Sequence, residues 1–172
     1  MLINELLTLV RQDEQGSELL YFTSFDFTEL LNDIFRKLGP IAEKKNIILE
    51  NHAEGKCMLK ADVALIERMC INIIENAIKY TKERGKVSIQ IQQNIQNIVF
   101  IVEDNGIGIP ESELPYIFDR FYRVDKARAR ETGGSGLGLS IVKSILRLHN
   151  GEVYVESEPD RGTKFTVMLP RE

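Results

Sequence analysis

Apolar residues at Leu2, Leu6 and Leu9, widened by Ile3, Leu7 and Val10, recur at helical spacing from Met1 to about Asp13 and predict a short amphipathic helix. Something should cover its stripe. The polar run RQDEQGS reads as a linker. Helical spacing then resumes in FDFTELLNDIFRKLGPIAEKKN, with Asp26 or Thr28 as cap and Pro40 bending or interrupting the helix. IILEN and CMLKA are short strands, and Asp62 caps a long helix, VALIERMCINIIENAIKYTKE, ending near Gly85. KVSIQIQ alternates with a period of two, while NIVFIVED is nearly all apolar, as a central strand buried on both faces would be. After ESELPYIF come a charged stretch, VDKARARET, and the glycine run GGSGLGLS. A helix from about Gly138 to His149 and a strand pair, EVYVES and TKFTVMLP, complete the chain. Helices mixed with paired strands predict an α+β sandwich.

The 172 residues, 43% of them hydrophobic, suffice for one good core, alone or with an appendage. A net charge of −4 and a pI near 5.4 give no global basic field, which argues against broad nucleic-acid binding. Cys57 and Cys70 lack metal-ligand spacing and read as reduced thiols of a cytosolic protein. No apolar run approaches the roughly 20 residues that span a bilayer, so the chain is expected to be soluble.

Two segments carry candidate chemistry. Wrapped as a helix, residues 62–83 place Arg68, Asn72, Glu75, Asn76, Lys79 and Glu83 on one arc of roughly 100°. A solvated face is the ordinary meaning of such a stripe, but asparagine is a mediocre helix former and two of them stand one turn apart. Asn72, Asn76 and Lys79 form a ladder of two amide oxygens and one ammonium suited to a magnesium-bound polyphosphate. DNGIGIP follows the apolar strand and is either a tight turn or a base-binding loop. In the second case Asp104 accepts a hydrogen bond from the exocyclic amine of adenine and repels guanine. Gly106 and Gly108 then let the backbone lie against the base, with Ile107 and Ile109 as walls. GGSGLGLS fits neither the dinucleotide fingerprint nor the Walker loop.

Taken together, NIIENAIKYT resembles the N box, DNGIGIP the first glycine box, IFDRFYRVD the phenylalanine box and GGSGLGLS the second glycine box of sensor histidine kinases. The four stand in family order over about residues 24–170. The resemblance implies a Bergerat-type two-layer sandwich, a mixed and mostly antiparallel sheet packed against about three helices, shared with gyrase-type and heat-shock-chaperone ATPases. It implies ATP and Mg²⁺ as ligands. Asn76 is then similar to the metal ligand, Asn72 to its neighbour across the metal, Lys79 to a phosphate contact, and Tyr80 to the residue packing near the base. Gly134, Gly136, Leu137 and Gly138 resemble the end of a mobile lid that brings amides and a helix N-terminus towards the phosphates. Phe118 and Phe121 resemble the lid's apolar anchors or are simple core residues. Lys126, Arg128 and Arg130 give the lid a positive balance, and Arg123 is the first choice for the γ-phosphate.

The same resemblance divides the chain into the end of a dimerisation hairpin at 1–15, a linker at 16–23 and an ATP-binding catalytic domain at 24–172. It implies a hairpin carrying the phosphoacceptor histidine and a downstream response regulator as partners, with no nucleic acid. The chain is expected to be mostly monomeric, within a homodimeric parent anchored in a membrane with this domain in the cytoplasm. Neither His52, in ENHAEG, nor His149, in RLHNGE, has the setting of an acceptor. The alternative is a nucleotide-gated ATPase of the gyrase and chaperone type. In those hydrolases a glutamate general base stands where this chain has Asn72, which can orient water but cannot take its proton.

Overall fold

The computed structural model describes residues 20–124 and 135–171. The expected helix over residues 1–13, and most of the charged stretch, lie outside that range. Strand β1 (Phe22–Asp26) leads directly into α1 (Phe27–Lys44), because the Asp26 carboxylate accepts the Thr28 amide at 3.0 Å and caps the helix. Pro40 neither ends nor interrupts α1, which runs four residues past it. It stands on the exposed face, where water can serve the carbonyl left without an amide donor. Strands β2 (Ile48–Asn51) and β3 (Met58–Asp62) follow, then α2 (Val63–Tyr80), capped by Asp62, whose carboxylate accepts the Leu65 amide at 3.2 Å. Strands β4 (Lys86–Gln93) and β5 (Asn97–Asp104), a 3₁₀ turn at Glu111–Tyr116, α3 (Gly138–Leu148), β6 (Glu152–Glu158) and β7 (Gly162–Pro170) complete the order.

The main sheet runs β2-β4-β5-β7-β6, antiparallel except for the parallel β2–β4 pair. A second, two-stranded sheet joins β1 to β3. With three α-helices among the described residues packed into one hydrophobic core with the sheet, the architecture is the expected α+β sandwich. Phe27, Leu31, Ile34, Ile66, Ile73, Ile74, Ile141 and Ile145 meet Ile98, Phe100, Val167 and Leu169 in that core. No helix among the described residues is long and apolar enough to cross a membrane.

Two corrections bear on function. Strand β5 is central but its two faces are unequally buried: Ile98, Phe100, Val102 and Asp104 point into the core, whereas on the other side Ile101 is buried, Val99 half-buried and Glu103 exposed. The inward period therefore ends on a carboxylate. Helix α2 stops at Tyr80, short of the expected Glu83, because the Thr81 amide and hydroxyl both donate to the Ala77 carbonyl and the backbone turns extended. Glu83 thus leaves the polar stripe and accepts a hydrogen bond from Asn46 Nδ2 instead, at 3.0 Å.

Candidate functional site

Asp104 is 7% exposed, at the mouth of β5 and directly opposite Thr163 of β7. Burial pushes its carboxyl up to about 6, against backbone hydrogen bonds from Gly106 and Thr163 that favour the charged form. The Gly106 amide donates to Asp104 Oδ1 at 2.8 Å. A carboxyl raised in the folded state makes the fold hold its proton more tightly than the unfolded chain does. Its stabilising contribution is therefore full below about pH 4 and is lost as pH rises towards 6.

The glycines of DNGIGIP are required by the chain itself. A side chain on Gly106 would strike the Tyr80 carbonyl, and one on Gly108, at φ +67°, would overlap the Glu158 carbonyl. The Ile107 amide donates to the Tyr80 carbonyl at 3.1 Å, the Asp160 amide to the Ile107 carbonyl at 2.8 Å, and the Ile109 amide to Ser157 Oγ at 2.8 Å. The loop is thereby held between the end of α2 and the β6–β7 turn, and Asp104 is fixed beside it. Gly108→Ala should cost more than about 2 kcal/mol, because strain at positive φ adds to the overlap. Thermal unfolding checks this; an unchanged Tm would contradict the packing.

On α2, Asn72 and Asn76 face the start of α3. A Cβ built on Gly138 would stand 3.4 Å from Asn72 Oδ1 and 3.9 Å from Asn76 Nδ2, so the glycine leaves a gap in front of both amides. Asn72 Nδ2 is buried and has no hydrogen-bond partner among the described residues. A buried, unpaired NH₂ donor in a native fold calls for an acceptor: a water, an anion or an oxygen of a ligand. Helix α3 starts at this gap with Leu137 at its N-cap position, no side-chain cap and no acidic residue in its first turn. Its N-terminal amides and positive dipole end are thus available to an anion. Leu137 is fully buried and anchors the turn, its amide donating to Ser135 Oγ at 3.3 Å.

Lys79 and Arg123 lie within electrostatic reach of each other: burial lowers the Lys79 pKa, and the positive charges of Arg123 and Lys45 lower it further. The Lys79 ammonium sits 5.1 Å from the centroid of the Tyr80 ring, which is 39% exposed. Phe118 packs against the core, whereas Phe121 is 62% exposed with φ +64°. Its amide donates to the Gly136 carbonyl at 2.9 Å, and Gly136, at φ +72°, lies against its backbone. Ile109 packs on the core edge. Lys126, Arg128, Arg130 and Gly134 lie outside the described residues.

Both ring nitrogens of His149 are engaged. Nδ1 is 2.8 Å from the Ile145 carbonyl and Nε2 accepts the Asp62 amide at 3.2 Å, a bridging role in the core. His52 is exposed and pairs with Glu50. Sequence reasoning missed Thr163, which is buried and shares the inward face of β7 with Phe165, Val167 and Leu169. Its place opposite Asp104 was legible in that period of two. A cavity of about 410 Å³ lies elsewhere, lined by Phe22, Leu59, Ala61, His149, Leu169 and Pro170 among others. No residue singled out for nucleotide chemistry lines it.

Comparison with known proteins adds an independent line. The model of the family described as histidine kinase-, DNA gyrase B- and HSP90-like ATPases matches residues 61–172. The sensor protein kinase WalK of Staphylococcus haemolyticus (strain JCSC1435) is 36% identical over 99% of this chain, and that of Staphylococcus saprophyticus subsp. saprophyticus is 37% identical over the same share. The chain spans 28% of the length of each. Among solved structures, the nucleotide-free catalytic domain of histidine kinase ThkA aligns with a TM-score of 0.77 and 28% identity, covering 88% of this chain and 96% of that one. Full-length ShkA in complex with AMPPNP aligns at 0.85 with 27% identity, covering 98% and 35% respectively.

Proposed function

Because the chain belongs to the family of histidine kinase-, DNA gyrase B- and HSP90-like ATPases, we propose that it is the catalytic ATP-binding module of a sensor histidine kinase. In this reading it positions Mg·ATP for transfer of the γ-phosphoryl group to a histidine on a hairpin domain. The observation that carries the proposal is the gap at Gly138, where the buried, unpaired Asn72 amide, Asn76 and the uncapped start of α3 converge. A polyphosphate with its cation suits that set. The α3 amides would meet the anion, and Asn76, with Asn72 as its neighbour on α2, would hold the metal through a neutral amide oxygen. Magnesium, when bound, would neutralise phosphate charge and so favour phosphoryl transfer.

The chain's own residues divide the remaining work. Asp104 reads the exocyclic amine of the base, and Thr163 and the Gly106 amide hold that carboxylate in place. Tyr80 covers the base, while Lys79 and Arg123 bring positive charge to the phosphates. Ile109, Gly136 and Leu137 shape the loops on either side, and the basic residues Lys126, Arg128 and Arg130 with Gly134 would complete the phosphate contacts. Asn72 in place of a carboxylate base supports a kinase rather than a hydrolase, since an amide cannot deprotonate water.

The acceptor is expected from a hairpin domain, with a response regulator downstream; among solved structures ThkA in complex with the response regulator TrrA aligns at a TM-score of 0.79 and 25% identity. A homodimeric parent, membrane-anchored with this module in the cytoplasm, accords with that role. The test adds radiolabelled ATP and a separately made cognate hairpin to the chain. Acid-labile, base-stable label on the hairpin is expected, with none on the chain itself. Rapid release of free phosphate with no labelled protein would favour the gyrase-type ATPase reading instead.

A further inference from the structure

Lys45, in the turn between α1 and β2, donates from its ammonium to the Ile78, Lys79 and Thr81 carbonyls at 2.8, 2.7 and 3.2 Å. The remaining carbonyls of that turn are also taken. Ala77 accepts from the Thr81 amide and hydroxyl, and Tyr80 accepts the Ile107 amide from the DNGIGIP loop. The end of α2 is therefore held from two sides, by Lys45 on one and by the base-site loop on the other. A cation suits this place, because the last carbonyls of a helix carry its negative dipole end. Burial disfavours the charge and lowers the Lys45 pKa, so the three acceptors must offset a real desolvation cost.

The turn that Lys45 grips carries Lys79 and Tyr80, and it sets how closely the Tyr80 carbonyl approaches Gly106, two residues from Asp104. We propose that Lys45 is a positioning residue for the nucleotide base: its ammonium fixes the last turn of α2 so that Tyr80 and Asp104 keep the separation an adenine requires. It touches neither base nor phosphate in this role. The inference rests on the reading that the base lies between those two residues. It explains why an ammonium with three carbonyl acceptors stands where α1 could end on any residue.

A lysine acting only as a structural cap would change stability and leave base discrimination intact. The test titrates Mg·ATP and Mg·GTP calorimetrically into the unmodified chain, Lys45→Met and Lys45→Arg, with thermal unfolding of each in the absence of nucleotide. Lys45→Met should weaken ATP about tenfold, change GTP little, and so shrink the preference by about the same factor. Lys45→Arg, which keeps the cation, should recover most of it. A lower Tm with both affinities unchanged, or equal weakening of both nucleotides, would overturn the proposal. If Lys45→Met does not fold, Lys45→Gln, which keeps a donor, carries the same comparison with the same criteria. An unmodified chain that binds both nucleotides equally would overturn the adenine reading itself, and this inference with it. Retained ATP preference in the variants would overturn only the role of Lys45.

Discussion

Asp104→Asn should weaken Mg·ATP binding while raising the stability of the nucleotide-free chain at pH 7. The amide keeps one oxygen for the Gly106 amide, which donates to Oδ1 at 2.8 Å. Its NH₂ replaces the second carboxylate oxygen, so the exocyclic amine of adenine meets a donor in place of an acceptor. One such mismatch in a buried site costs roughly 1–3 kcal/mol, a loss of about 5- to 150-fold in affinity. Guanine, with an acceptor oxygen at that edge, should lose less or gain. Stability moves the opposite way because burial disfavours the Asp104 charge, holding its carboxyl up to about 6, and the neutral amide removes that opposition. The same group makes ATP affinity pH-dependent: the acceptor is ionised above about pH 6, so binding to the unmodified chain should weaken as pH falls through that value, and Asp104→Asn should lose this dependence. Calorimetric titration at pH 5 and pH 7.5 checks both. Equal ATP affinity in the variant, or a flat pH profile in the unmodified chain, would contradict the assignment.

Asn76→Ala should remove most of the Mg²⁺ dependence of ATP binding and leave the fold intact. Asn76 is half-buried on the polar side of α2, away from the Ile73, Ile74, Ala77 and Ile78 core, so truncation opens no core cavity. Alanine is also the better helix former. The unmodified chain should lose at least about tenfold in ATP affinity, about 1.4 kcal/mol, when Mg²⁺ is chelated. The variant should bind at the chelated level whether or not the metal is present. An unfolded variant, or one that still gains affinity from Mg²⁺, would contradict the role given to the α2 ladder.

The main elements were legible where local chemistry and long-range packing agree. Asp26 and Asp62 cap their helices in the structure as their side chains predict, and the alternation in β4, β6 and β7 matches their pairing. What escaped the sequence depends on remote contacts. Strand β1 escaped recognition, with Phe22 and Thr23 placed in the linker and Phe25 and Asp26 at the start of the following helix, because five residues of weak alternation become a strand only through pairing with β3. The end of α2 was placed too late because Thr81 turns extended there and the carbonyls around it are taken by Lys45, which reaches them from another turn. Gly106 and Gly108 were read as letting the backbone lie against a base, whereas the nearest partners of both in the structure are the chain's own carbonyls. The convergence of Asn72, Asn76 and Gly138 joins two motifs far apart in the chain, and no local pattern could give its distances.

The most direct test of where the nucleotide sits is backbone and side-chain amide NMR of the chain during titration with Mg·ATP. Saturable shifts are expected at Gly106, at Gly138, Leu139 and Ser140 at the start of α3, and at the side-chain amides of Asn72 and Asn76. Shifts confined to the Phe22, Leu59, Ala61 and Leu169 cavity, or no saturable shift at the α3 start, would contradict the site.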